Sequence, residues 1–234
     1  MVVWLVALLV LHGAWRLFRL PSTWPRVFLG GIARVAGARV AVRGTPLPAP
    51  VLYLANHQTW LDIMILAGAS GAAFVSKAEV ARWPLLGWLA GLNATVFIAR
   101  SDRSGVRQQA NALSEALASG QPVALFPEGT TSDGTGVLPF NASLLGAVAP
   151  PAGGVRVQPV AIDYGAARAE VVWFGEETPG ANVLRVLGRR GRFDVTLTFL
   201  PPLEPMEDRK VVAIAAREAI VASLHPSGCA GAAL

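Results

Sequence analysis

The chain has 234 residues, a formal charge of +5, 53% apolar and 15% charged residues, and one cysteine. That length fits one domain with a sizeable core plus a terminal appendage, and a lone Cys229 excludes an intramolecular disulfide or a cysteine-built zinc cluster. The charged fraction is below the roughly 25% of soluble domains, so the composition leans toward membranes.

The excess charge sits at the start. Residues 1–50 hold Arg16, Arg19, Arg26, Arg34, Arg39 and Arg43 and no Asp or Glu. These arginines are interleaved with Trp, Leu, Phe and Val instead of lying on a polar face, which points to anionic lipid headgroups and away from nucleic acid. Met1 to Trp15 is apolar apart from His12 and stops at Arg16, short of the roughly 20 residues that a spanning helix needs. It begins Met1-Val2-Val3-Trp4, without the positive leader of a secretory signal. Pro21 to Pro25 breaks the chain, and Arg26 to Ala38 offers a second short apolar helix with Arg26 and Arg34 placed to snorkel. The expectation is a two-helix motif lying in one leaflet, with Trp4, Trp15 and Trp24 at the headgroup boundary. A tilted single span and an ordinary core helix are the competing readings.

Beyond the stiff linker Thr45 to Pro50 the pattern alternates. Strands are expected at Val51 to Ala55, Ala73 to Ser76, Ala94 to Ile98, Val123 to Phe126, Arg156 to Ile162, Val171 to Phe174 and Asp194 to Leu200. Helices are expected near Trp60 to Ala67, Ala81 to Ala90, Gly105 to Ala118 and Arg209 to Leu224, with a basic turn at Gly188 to Arg192. This is an α/β fold with a largely buried, mostly parallel sheet flanked by helices. The expected organisation is membrane-anchoring helices over residues 1–44, a catalytic domain over 45–224 and a loose tail over 225–234.

In such sheets ligands gather beyond the carboxyl ends of the strands, so the polar residues at strand exits carry the functional signal. Asn56-His57-Gln58-Thr59-Trp60-Leu61-Asp62 follows the first core strand and sets a histidine near an aspartate. Imidazole, with an unperturbed pKa of about 6.5, takes protons near neutrality, and a carboxylate beside it fixes the tautomer and stabilises the imidazolium. The same stretch also reads as a helix start, with Thr59 and Asp62 as capping residues. Lys77, Arg100 and Pro127-Glu128-Gly129-Thr130 occupy three further exits. Together they suit an anionic headgroup held by Arg100 and Lys77, and a neutral hydroxyl that Glu128 binds and His57 deprotonates.

Four blocks in order give this set its resemblance. Asn56 to Asp62, Val96-Phe97-Ile98-Ala99-Arg100, Phe126-Pro127-Glu128-Gly129-Thr130 and Val157-Gln158-Pro159-Val160 resemble the glycerolipid acyltransferases, the PlsC-like 1-acylglycerol-3-phosphate acyltransferases. The segment with Lys77, Pro84 and Gly87 matches as well. The resemblance implies His57 as base, Asp62 as its orienter and Arg100 as phosphate ligand. It implies Glu128, Gly129 and Thr130 around the acceptor, Lys77 in the substrate-binding set, and Pro159 as a wall of the acyl tunnel. The implied reaction moves a fatty acyl group from acyl-CoA or acyl-carrier protein to a lysophospholipid hydroxyl at the cytoplasmic face of a bacterial inner membrane, with no cofactor and no metal.

A thioester is already activated, so no enzyme nucleophile is required, and the sequence holds no Gly-x-Ser-x-Gly elbow. Many phosphatidic-acid-forming relatives follow Glu-Gly-Thr with arginine, whereas this chain continues Thr131-Ser132-Asp133. The expected acceptor is 1-acyl-sn-glycerol-3-phosphate, giving phosphatidic acid, with Arg103 and Arg107 as replacement charge. Lyso-ornithine lipid or another lysophospholipid is the alternative. From other classes, a non-catalytic membrane-peripheral lipid-binding protein and a thioesterase compete.

Overall fold

A computed structural model describes residues 7, 24–77, 95–98, 111, 113–118, 120–145, 148 and 154–225. The run Val51–Ala55 is apolar at every position and forms strand β2, buried on both faces, which is what a strand inside a parallel sheet requires. Six further strands join it: β1 (Ala38–Arg43), β3 (Ala73–Lys77), β4 (Val96–Ile98), β5 (Val123–Leu125), β6 (Arg156–Asp163) and β7 (Phe193–Phe199). The order is β1-β7-β6-β2-β5-β3-β4. Every neighbouring pair is parallel except β6 with β7. The mostly parallel α/β sheet is therefore as expected.

That one reversal decides which ends meet. The carboxyl ends of β2, β5 and β6 lie on one rim of the sheet, and because β7 runs the other way, its start at Phe193 reaches the same rim. Ala38 of β1 pairs with Phe193 and begins there too.

Each face carries a core. On one, Val51, Tyr53 and Ala55 pack under helices α1 (Trp24–Val35) and α2 (Leu61–Ser70). On the other, Leu52 and Leu54 pack with Leu113 and Leu117 of the helical residues 113–118 and with Val212, Ala213 and Ala216 of helix α4 (Arg209–Leu224). Helices α1 and α2 cross backbone to backbone: a Cβ on Gly68 would stand 2.6 Å from the Gly30 Cα. Arg26 ties the far end of the pair by donating to the Gly68 and Ala69 carbonyls.

Several expectations are corrected. Val171 to Phe174, rich in residues that favour strands, is no strand: a helical turn, Arg168–Val171, ends there and the chain continues as a loop. Val171 and Val172 fill core space while Phe174 is exposed, so burial and not pairing explains the apolar run. The helix expected over Arg26 to Ala38 spans Trp24–Val35, and residues 38–43 form an edge strand instead. Phe28, Leu29 and Ala33 of α1 lie in the core, so at least that face is covered by protein. An unexpected helix, α3 (Pro179–Leu187), precedes β7. Its start has a plain chemical signature: Pro179 occupies the first turn and the Thr178 side chain accepts from the Ala181 N–H.

Met1 to Trp15 apart from Ala7, the helix at Ala81 to Ala90, residues 105–110 of the next helix, Arg100 with Arg103 and Arg107, and the tail beyond His225 lie outside the described residues. Among the described residues, no helix is long and apolar enough to cross a membrane.

Candidate active site

The segment leaving β2 makes no regular structure until Leu61, and its backbone is held by side chains. Asn56 reaches across to β6, donating to the Ile162 carbonyl at 2.9 Å and accepting from the Ile162 N–H at 2.8 Å. Gln58 donates to the same carbonyl at 2.9 Å, and its own carbonyl accepts from the Trp173 N–H at 2.8 Å. Between these two anchors stands His57, which projects outward with 17% of its side chain exposed.

Asp62 opens α2 and is fully buried. Its Oδ2 lies 2.8 Å from His57 Nδ1 and also accepts the backbone N–H groups of Gln58 at 2.6 Å and Thr59 at 2.9 Å. Its Oδ1 accepts the Tyr164 hydroxyl at 2.6 Å. The expected helix cap is not made, since Trp60 holds the N-cap position without a side-chain bond, and the Asp62 carboxylate instead fixes the backbone of Gln58 and Thr59 ahead of the helix while it orients the imidazole. A buried charge is tolerable only when fully hydrogen-bonded, and four donors meet that condition. Tyr164 remains protonated, because burial first and the neighbouring Asp62 second push its phenol well above the ordinary value.

With Nδ1 committed to Asp62, Nε2 is the ring nitrogen left for chemistry. The imidazole lies flat on Phe126, with ring centroids 4.1 Å apart, and Phe126 in turn stacks on Phe74 at 5.7 Å. This apolar backing leaves the ring one open side.

Glu128 sits in the turn after β5. Its Oε1 accepts the His57 N–H at 2.7 Å, and its Oε2 accepts the Leu138 N–H at 2.9 Å. The carboxyl therefore braces the histidine's backbone against the loop 130–138. From the same loop the Ser132 N–H, at 2.9 Å, and hydroxyl, at 3.2 Å, donate to the His57 carbonyl. Gly134, with φ +76°, lets this loop close, because a Cβ there would stand 2.7 Å from Gln58 Oε1 and from the Arg168 side chain.

Burial lifts the Glu128 carboxyl from 4.5 to about 7 against the two backbone donors. A group whose folded value is raised keeps the native state favoured below its unfolded value, and that advantage is lost as pH climbs through about 7. The wild type is therefore expected to lose on the order of 3 kcal/mol relative to Glu128→Gln between about pH 5 and about pH 8. Thermal melts across that range measure the gap; a constant gap would show Glu128 ionised throughout.

The structure brings His57, Asp62, Glu128 and Gly129 onto one rim, with Thr130 exposed on the loop beside them. Lys77 ends β3, paired with Ile98 of β4. Arg100 is outside the described residues. Pro159 lies elsewhere: it is buried within β6, opposite Leu54, and by strand alternation it shares a face with Val157 of the second core, away from the Phe126 side where the imidazole lies. Tyr164, Asn56 and Gln58 are site residues that the exit argument left without a role. Tyr164 was findable by the same rule, since it directly follows β6. Among the described residues no three His, Cys, Asp or Glu converge as metal ligands.

The arrangement has the parts of a general-base site: an oriented imidazole, a buried acid behind it and an apolar wall. A family model described as "Acyltransferase" matches residues 39–163. A lyso-ornithine lipid O-acyltransferase from Rhizobium meliloti is 38% identical over 195 residues, covering 77% of this chain and 65% of that protein. One from Rhodobacter capsulatus is 34% identical over 233 residues, covering 92% and 84%. A 1-acyl-sn-glycerol-3-phosphate acyltransferase from Neisseria gonorrhoeae is 39% identical over 117 residues, covering 50% and 45%. The fold is similar to the crystal structure of the 1-acyl-sn-glycerophosphate acyltransferase PlsC from Thermotoga maritima, with a TM-score of 0.63 and 24% identity over 95% of this chain and 91% of that one.

Proposed function

The chain belongs to the Acyltransferase family, and from that premise we propose that His57 is the base of an acyl transfer from a thioester, acyl-CoA or acyl-carrier protein, to the free hydroxyl of a lysolipid. His57 Nε2 removes the hydroxyl proton as the oxygen attacks the thioester carbonyl. The tetrahedral intermediate collapses, the C–S bond breaks, and the departing thiolate takes the proton from the imidazolium. An ester and a free thiol result. The observation that carries this reading is the 2.8 Å contact between His57 Nδ1 and the fully buried Asp62, which holds the ring in the tautomer whose Nε2 accepts a proton.

Glu128 holds the His57 backbone in register, and Lys77 and Arg100 bind acceptor or donor phosphate. Pro159, buried in β6 opposite Leu54, is assigned to the wall of the acyl tunnel and not to the reacting groups. The chain is held at the cytoplasmic face of the inner membrane by its N-terminal residues; the apolar, arginine-bearing stretch 1–23 supports this.

For the acceptor we favour lyso-ornithine lipid. Relatives bearing that name match 77% and 92% of the chain, whereas the Neisseria relative matches half. The chemistry agrees. Residues 126–140, whose loop crosses beside His57, contain Glu128 and Asp133 and no Lys or Arg. Asp133 is exposed, and hydrogen bonds from Thr135 hold its carboxyl below the ordinary value. The exposed Asp133 carboxylate suits a headgroup carrying an ammonium better than a phosphomonoester. The second reading, 1-acyl-sn-glycerol-3-phosphate, rests on the 39% identity of the Neisseria relative across the core blocks.

Purified enzyme given both acceptors, with product mass as the readout, is expected to turn over lyso-ornithine lipid at least about tenfold faster. The difference corresponds to roughly 1.4 kcal/mol of transition-state binding. Asp133→Asn should narrow that preference. Thiol release without any new lipid ester would instead mark a thioesterase, and absence of turnover with every acceptor would leave a lipid-binding protein.

A further inference from the structure

The rim that carries His57 also carries an apolar surface with no protein partner among the described residues. Phe174 is 54% exposed, Leu184 74% and Leu187 46%. Leu184 and Leu187 stand one helical turn apart on α3, whose other side buries Asn182 and Val186. Phe174 follows Trp173, whose N–H is bonded to the residue next to His57. This surface therefore adjoins the site.

The patch is rigidly built. Arg185 pairs with Glu177 at 2.8 Å, and Arg189 pairs with Glu170 while stacking over Phe193, 5.0 Å from its ring centroid. These contacts fix α3 with its leucines outward. They also neutralise the nearby acids, leaving Arg190 and Arg192 exposed and, among the described residues, without an acidic partner. Glu176 is the one exposed acid of segment 174–192 left unpaired. An exposed apolar face rimmed by net positive charge matches the interfacial zone of an anionic bilayer: leucine and phenylalanine enter the acyl boundary while arginines meet headgroup phosphates.

We propose that Phe174, Leu184 and Leu187, with Arg190 and Arg192, form a membrane-contacting surface that seats the His57 rim on anionic phospholipid. This rests on the reading that the acceptor is a membrane lysolipid, and it adds where that acceptor enters. A surface of this kind spares the acceptor from leaving the bilayer, because the hydroxyl reaches His57 at the plane in which the lipid already lies.

The test uses the full chain with Cys229→Ser, which removes its one native cysteine, and a fluorophore on Leu184→Cys. Leu187→Cys reports the same face should the first variant fail to fold, and exposed Glu207, just before α4 at the opposite end of the sheet, supplies the control as Glu207→Cys. In phosphatidylglycerol vesicles the label at 184 is expected to be quenched by lipids brominated on the acyl chain and shielded from aqueous iodide, with the label at 207 showing the reverse. In phosphatidylcholine vesicles the shielding at 184 should weaken by about fivefold for each arginine that loses its lipid partner. Equal iodide access at 184 and 207 in phosphatidylglycerol, or shielding at 184 before any vesicle is added, overturns the proposal. Failure of the enzymatic reading would show separately, as no thiol release from the unlabelled wild type with any lysolipid, whatever the labels report.

Discussion

Alanine in place of His57 is expected to lower kcat/KM for acyl transfer by about 10²- to 10⁴-fold, the span that a positioned general base contributes. The fold should survive, because the ring is partly exposed and its backbone bonds to Glu128 and Ser132 do not involve the side chain. Free thiol released from acyl-CoA measures the rate, and a thermal melt measures the fold. Turnover at the wild-type level in a folded His57→Ala protein would remove the base from the mechanism.

Asp62→Asn should damage both rate and stability, and for separable reasons. Asp62 Oδ2 accepts from His57, Gln58 and Thr59, and Oδ1 accepts from Tyr164. An amide offers one acceptor oxygen, so its NH₂ must face donors on one side or the other. If that NH₂ faces His57, the imidazole turns Nδ1 into an acceptor and carries its proton on Nε2, which is the wrong tautomer for a base. A loss of about 10⁴-fold in kcat follows from that change alone. The buried donors left unmet add on the order of 3 kcal/mol of destabilisation. Tyr164→Phe separates the two effects. It removes one donor from Oδ1 while leaving the histidine contact intact, so it should cost about 1–3 kcal/mol of stability and under about tenfold in kcat. A Tyr164→Phe enzyme as slow as Asp62→Asn would mean that the phenol does more than hold the carboxylate in place.

The parts that could be read from sequence were those whose surroundings are uniform. Strand β2 is buried on both faces and so appears as an unbroken apolar run, β6 is buried from Val157 to Ile162 with Gln158 the one polar break, and α4 keeps its helical period between Asp208, which caps it, and Leu224. The histidine and aspartate were legible because their chemistry needs those two residue types close together after a strand. What escaped was set by distant partners. Strand β1 is an edge whose residues 39 and 41–43 are exposed, and it forms because β7 lies alongside, 155 residues from Arg39 to its ion partner Asp194. Val171-Val172-Trp173-Phe174 has a strand's composition, but its first residue closes a helical turn and the rest runs on as a loop with Val171 and Val172 buried. Glu128 is a turn acid in sequence, and only the folded loop shows that it grips the His57 N–H. Tyr164 follows β6 and its place on the rim could be read, but its partner Asp62 lies 102 residues away, so the bond between them could not.

The Gly30–Gly68 crossing bears on how this enzyme can change over evolutionary time. Asp62 stands six residues before Gly68 on the same rod, about 9 Å along its axis, so the carboxylate's position is set by how deeply two helices nest at a point with no side chain on either. A single methyl added there would lever the acid away from its imidazole without touching either residue. Substitutions are therefore tolerated at exposed positions such as Thr130 and Thr135, while the seam that aligns Asp62 with His57 tolerates almost none.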